Sequence, residues 1–118
     1  MSCEEVFNNS DFGMIEGSQQ TITLDLYTIL GEEFKNVAIE SVEWRMSRYG
    51  ETECLASKTS TDSPDEVKYE ENVITITLLP SDTMNLFGKF THQIIIRDIH
   101  SFIFVADLGK ISIKPLIK

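Results

Sequence analysis

The sequence is poor in the residue types that announce a chemistry. Its 118 residues hold two cysteines, two histidines, one tryptophan and three prolines. Cys3 and Cys54 are too far apart for a Cys-x-x-Cys redox pair and match no zinc spacing, so no metal site is expected of them. Basic residues are also scarce, ten against 19 acidic, for a net charge of -9 and a pI near 4.6. That balance repels phosphate backbones and anionic lipid, so neither nucleic acid nor a membrane surface is an expected partner. No apolar run approaches the roughly 20 residues of a spanning helix. The opening Met1-Ser2-Cys3-Glu4-Glu5 is acidic with no apolar stretch behind it, so no secretory leader is expected. The chain therefore reads as soluble and made in a cytoplasm, with reduced thiols. Hydrophobic residues at 42% are enough for one continuous core.

Catalytic constellations are missing as well. His92 and His100 have no His-x-x-x-His or His-Glu spacing to converge on a metal or a reacting group. His92 alternates with Phe90 and Ile94, which predicts an inward, neutral ring satisfied by a backbone carbonyl; His100 reads as a turn residue. Gly-x-Ser-x-Gly, Gly-x-Gly-x-x-Gly and the phosphate loop are absent. The acidic run Asp62-Ser63-Pro64-Asp65-Glu66 lacks the glycine and distal glutamate of a calcium loop and reads as solvated surface. No enzymatic activity and no cofactor is expected.

What is present is period-two alternation. Ile22, Leu24 and Leu26 share one face of the run from Thr21 to Tyr27. Val42, Trp44 and Met46 do the same between Ser41 and Arg48, and Ile74, Ile76 and Leu78 between Asn72 and Leu79. Glu53 to Thr59 reads as a polar edge strand, and further strands are expected at Lys89 to Asp98, Ser101 to Ala106 and Lys110 to Ile113. Helix is confined to a turn at Leu30 to Phe34 and one turn within Ser81 to Phe87, opened by a cap residue and closed by a glycine. Glu70-Glu71-Asn72 reads as a hairpin turn. Prolines and glycines fall between these runs or at their margins, the signature of an all-β sandwich or barrel. Residues 1–10 are expected to form a flexible tail, and 11–118 a single domain.

A tryptophan strand, the stretch Asp82-Thr83-Met84-Asn85-Leu86-Phe87-Gly88-Lys89-Phe90-Thr91-His92, and Gly109 before the last strand now fall into an order. This resembles the corner of immunoglobulin-like domains. More specifically it is similar to small phage structural proteins and to the N-terminal domain of phage baseplate upper proteins, with Trp44, Asp82, Thr83, Leu86, Gly88, Phe90, His92 and Gly109 at matching positions. The resemblance implies an immunoglobulin-like antiparallel β-sandwich of about seven strands, with Trp44 in the core against Phe90 and Leu24. It implies a non-enzymatic phage or prophage virion protein of the tail or baseplate type, made in a bacterial cytoplasm and then part of the particle. The departures are concrete. His92 stands where immunoglobulin domains carry their second cysteine, no cysteine precedes Trp44 in the second strand, and Phe90 has no hydroxyl to tie back to the backbone. An immunoglobulin receptor domain is disfavoured on those grounds.

One pattern breaks the alternation. If Ile94, Ile96, Phe102 and Phe104 face the core, then Ile95, Ile103 and Val105 face outward. Two readings stand: a face covered or tolerated as surface, and an apolar patch that seats another virion protein or a second copy of this chain. Two other functions remain open. A glycan-binding adhesive module would want clustered aromatics, whereas Tyr27, Tyr49 and Tyr69 are scattered. A nucleic-acid mimic would want an unbroken acidic stripe, whereas acids and lysines are interspersed.

Overall fold

The alternating runs become strands because β-branched and aromatic residues at every second position bury one face of a pleated ribbon and leave the other to water. A computed structural model describes residues 11–25, 38–70 and 73–117. In chain order they form β1 (Phe12–Ile15), β2 (Gln20–Asp25), β3 (Ile39–Arg48), β4 (Cys54–Thr59), β5 (Val67–Glu70) and β6 (Val73–Leu78). There follow one helical turn, α1 (Pro80–Thr83), then β7 (Gly88–Asp98) and β8 (Ile103–Lys114). The tail placed at 1–10, the turn placed at Leu30 to Phe34 and the connection 71–72 lie outside the described residues.

Two sheets result. One has five strands in the order β1-β8-β7-β3-β4, the other three in the order β2-β6-β5. Pairing is antiparallel throughout except at β1, which runs parallel to β8 with Phe12 opposite Ile111 and Met14 opposite Ile113. The core lies between the sheets. Ile22 and Leu24 of β2, Val67 of β5 and Ile74, Ile76 and Leu78 of β6 come from the small sheet. Opposite them, Val42, Trp44 and Met46 of β3 join Phe90, Ile94 and Ile96 of β7 and the buried residues of β8. Burying each such aliphatic or aromatic side chain is worth about 1.5–3 kcal/mol, against the entropy of ordering the strands. The sequence reading placed Trp44, Phe90 and Leu24 inside, and all three are buried.

Three kinds of difference from expectation have physical causes. The segments Phe12–Ile15 and Val67–Glu70, the latter including Glu70 that was read as a turn residue, are strands, although four residues are too few to carry a period. The two runs expected at the C-terminal end are one strand, β8, in which Leu108 is inserted between Asp107, opposite Gln93, and Gly109, opposite His92. This bulge shifts the inward positions from even (Phe104, Ala106, Leu108) to odd (Ile111, Ile113), so one strand reads as two. The helical turn begins at Pro80 rather than after a cap at Ser81. Proline suits a first helical turn because its missing N–H would be unpaired there, and the Asp82 carboxylate reaches back to accept the Leu79 N–H at 2.6 Å.

Candidate functional site

The residues that carried the sequence resemblance converge on two places. In the core, β3 and β7 bring Trp44 beside His92: the indole N–H donates to His92 Nδ1 at 3.0 Å, with both side chains buried. Indole can only donate, so Nδ1 carries a lone pair and the neutral ring keeps its proton on Nε2. Phe12 of β1 meets the same imidazole edge-on, with ring centroids 5.8 Å apart. The partner of Nδ1 is the tryptophan, a pairing that the sequence reading did not anticipate. At the helical turn α1, Asp82 accepts from Lys58 at 2.7 Å, and Lys58 also pairs with Glu66. Gly88 opens β7 at φ +117, a conformation in which any side chain is strained. Phe90 is fully buried, and the Arg48 guanidinium lies 5.2 Å from its ring centroid.

Lys58 was not anticipated. It sits opposite Trp44 on the edge strand β4 and points inward, with its side chain only 5% exposed. Burial alone pushes its ammonium group down, but Asp82 and Glu66 outweigh that and hold its pKa above the ordinary value. Glu66, read as solvated loop charge, is half of that pairing. The signal was available only as a lysine at an inward position of an alternating run.

On the outer face of the five-stranded sheet, Glu43 bonds Arg45 at 2.7 Å and Arg97 at 3.4 Å. Burial tends to raise the Glu43 carboxyl, yet the two guanidinium groups keep it lowered. Gln93 donates to Asp107 at 2.7 Å on the same face. Ile95 stands between Glu43 and Val105 in register and between Gln93 and Arg97 along its strand. It faces outward as the alternation predicts, but it is only 7% exposed. Ile95 is therefore withdrawn as an accessible interface residue: on a central strand, the aliphatic stems of long polar neighbours cover it.

Ile103 and Val105 are each 58% exposed. They continue into the β7–β8 turn, where Ile99 is exposed too and Phe102, expected in the core, is 63% exposed. Phe102 escapes the alternation because it belongs to the turn, not to β8. Asp98 holds that turn: its Oδ1 accepts the N–H of His100 at 2.8 Å and of Phe102 at 2.9 Å, and its own N–H donates to the Phe102 carbonyl. His100 is a turn residue, as the sequence predicts. The lock fixes Ile99 and Phe102 on the outside, next to Ile103 and Val105.

Cys54 is exposed and unbridged in a shallow groove that Arg45, Ser47, Thr52 and Gln93 also line. Among the described residues no group of three or more His, Cys, Asp or Glu side chains could hold a metal, and no helix is long and apolar enough to cross a membrane.

The strand order defines the class. Strands β2, β6 and β5 correspond to the B–E–D sheet, and β8, β7, β3 and β4 to the G-F-C-C′ sheet, with the first strand transferred to the G edge. The protein has an immunoglobulin-like β-sandwich fold. No family model matches the sequence, and no curated protein does. Among solved structures it is similar to a crystal structure of a chicken TCR, with a TM-score of 0.57 and 14% identity over 94% of this chain. This chain spans 56% of that one, and at such identity the likeness is one of fold.

Proposed function

We propose that the chain is a non-enzymatic assembly module, a structural component of a phage or prophage virion of the tail or baseplate type. The observation that carries this reading is the locked β7–β8 turn, which holds Ile99, Phe102, Ile103 and Val105 together in solvent. A contiguous apolar group on a rigid tip is what a protein–protein contact requires, and it costs solubility unless something covers it. The pattern of Trp44, Asp82, Gly88, Phe90, His92 and Gly109 supports the virion assignment by resemblance. The partners are other virion proteins or further copies of this chain. The test is mass spectrometry of particles purified after prophage induction from the bacterium that encodes the chain. Its peptides are expected in stoichiometric amounts beside the tail proteins. Purified particles that lack them would overturn the reading.

A further inference from the structure

Strand β1 is lightly held. It has four residues, lies at the edge of the five-stranded sheet and pairs on one side, in the parallel mode that is slightly weaker per residue. Met14 is its one buried side chain. Its other side-chain ties run through groups that can take up a proton. Before the strand, the Asp11 carboxylate accepts the Lys110 N–H at 2.7 Å. After it, the Glu16 carboxylate accepts the N–H of Asn85 at 2.6 Å and of Leu116 at 3.1 Å. Between them the Phe12 ring stands edge-on against the His92 imidazole. The turn that follows is pinned separately, by the Gly17 N–H on Thr83 at 2.9 Å.

His92 has no room for a second proton where it stands. Its Nδ1 faces the Trp44 N–H at 3.0 Å, and a proton on that nitrogen would set donor against donor. Met46, opposite it on β3, and Phe90 and Ile94, either side of it on β7, are apolar and buried. The charge that points inward nearby is the Lys58 ammonium, opposite Trp44 on β4 and held by Asp82 and Glu66. The charged side chains of the strands around His92 are exposed: Arg45 and Arg48 on β3, Lys89 on β7, Asp107 and Lys110 on β8, and Asp11 just ahead of β1. Burying an imidazolium in these surroundings is costly, so a charged ring must turn out to water. Phe12, its half-buried neighbour, stands on that route.

We infer that β1 is an acid-released strand: uptake of a proton by His92 turns the imidazole out past Phe12 and frees Phe12–Ile15 from β8, while β2 to β8 keep their pairing. Asp11 and Glu16 act in the same direction, because a protonated carboxyl is a weaker acceptor of an N–H than a carboxylate. The sign follows from where the proton binds. The closed strand excludes it from His92 and the open one admits it. Strand β1 is therefore fully held above the ordinary imidazole value of about 6.5 and is released as pH falls below it. Release leaves β8 with a row of unpaired backbone groups from Ile111 to Lys114. The device goes beyond the assembly reading and is independent of what the chain assembles with.

Backbone hydrogen exchange on the parent chain tests this, followed by NMR from about pH 7.5 to about pH 5 and corrected for the intrinsic rate at each pH. Protection of the β1 and Lys110 amides is expected to fall about tenfold per pH unit below about 6.5, one proton being taken up per opening. The amides of β3 and β6 should keep theirs. His92→Gln retains a side-chain acceptor and lacks the titrating ring, so its β1 protection should stay level over the same range. The ring nitrogen shifts of the parent chain give a reading that needs no variant: His92 should remain neutral, with its proton on Nε2, wherever β1 is protected. A β1 protection that does not vary with pH, a loss shared equally by β3 and β6, the parent's slope persisting in His92→Gln, or an imidazole that titrates while β1 stays protected would each overturn the inference.

Discussion

The Trp44 indole donates its only polar hydrogen to His92 Nδ1 across 3.0 Å of buried core, joining β3 to β7. His92 holds the position at which immunoglobulin domains place a cysteine, and β2 offers no cysteine to pair with it. The two sheets are thus held together at this point by packing, while the neutral hydrogen bond ties neighbouring strands of the five-stranded sheet.

Replacing His92 removes the acceptor and leaves the indole N–H buried without a partner. His92→Leu should destabilise the fold by about 1–3 kcal/mol in urea unfolding, beyond any change in packing. Adding Trp44→Phe to His92→Leu should cost less than the sum of the single effects, because the orphaned donor is then gone. Strict additivity of the two substitutions would show that the bond contributes nothing.

Gly109 illustrates a backbone requirement. It lies at φ +127 beside the bulge, and a Cβ there would run into the Asp11 carboxylate, which accepts the Lys110 N–H at 2.7 Å. Gly109→Ala should therefore cost more than the about 1–3 kcal/mol of backbone strain alone and should loosen β1 from β8. Gly50, at φ +81 with open space around it, is the control for strain without collision. Hydrogen exchange at the Lys110 amide should accelerate in Gly109→Ala and stay unchanged in Gly50→Ala. Equal costs for the two substitutions would contradict the argument.

The two charged groupings act in opposite pH windows. The Glu43 carboxyl is lowered from its ordinary value of 4.5, so its contribution is present above that pH and is lost as pH falls through the folded value. Lys58 is raised from 10.5, so its contribution is complete below that pH and is lost as pH rises through the folded value. Glu43→Gln should thus be less stable than the parent at neutral pH and converge with it in acid. Lys58→Gln should converge with the parent only at strongly alkaline pH. Urea midpoints measured from pH 3 to about 11.5 test both, since each window spans a decade or so in proton concentration around its pKa. A gap that stays constant across either window would rule out that linkage.

Much of the architecture was legible because strand periodicity is local. Val42, Trp44 and Met46, or Ile74, Ile76 and Leu78, need only their own neighbours in sequence to declare an inward face, and all are buried. Gly88 and Asp82 could be placed at a corner for a similar reason, since a glycine before an aromatic strand and a carboxylate three residues into a turn have local uses. The proposed contact surface was legible only in part. Ile103 and Val105 face water, but Phe102 joined them from a predicted inward position and Ile95 left them.

By itself, then, the sequence determined most of the strands, most of their inward faces and the all-β class, because alternation and turn chemistry act over a few residues. Tertiary structure alone decided what depends on neighbours across the sheet. It laid Phe12–Ile15 parallel on β8, merged two runs through the bulge at Leu108, paired Trp44 with His92 and buried the Lys58 ammonium between two carboxylates. It also covered Ile95 while leaving Phe102 in solvent. Exposure is a property of what stands beside a residue in space, and a two-residue period carries no record of that.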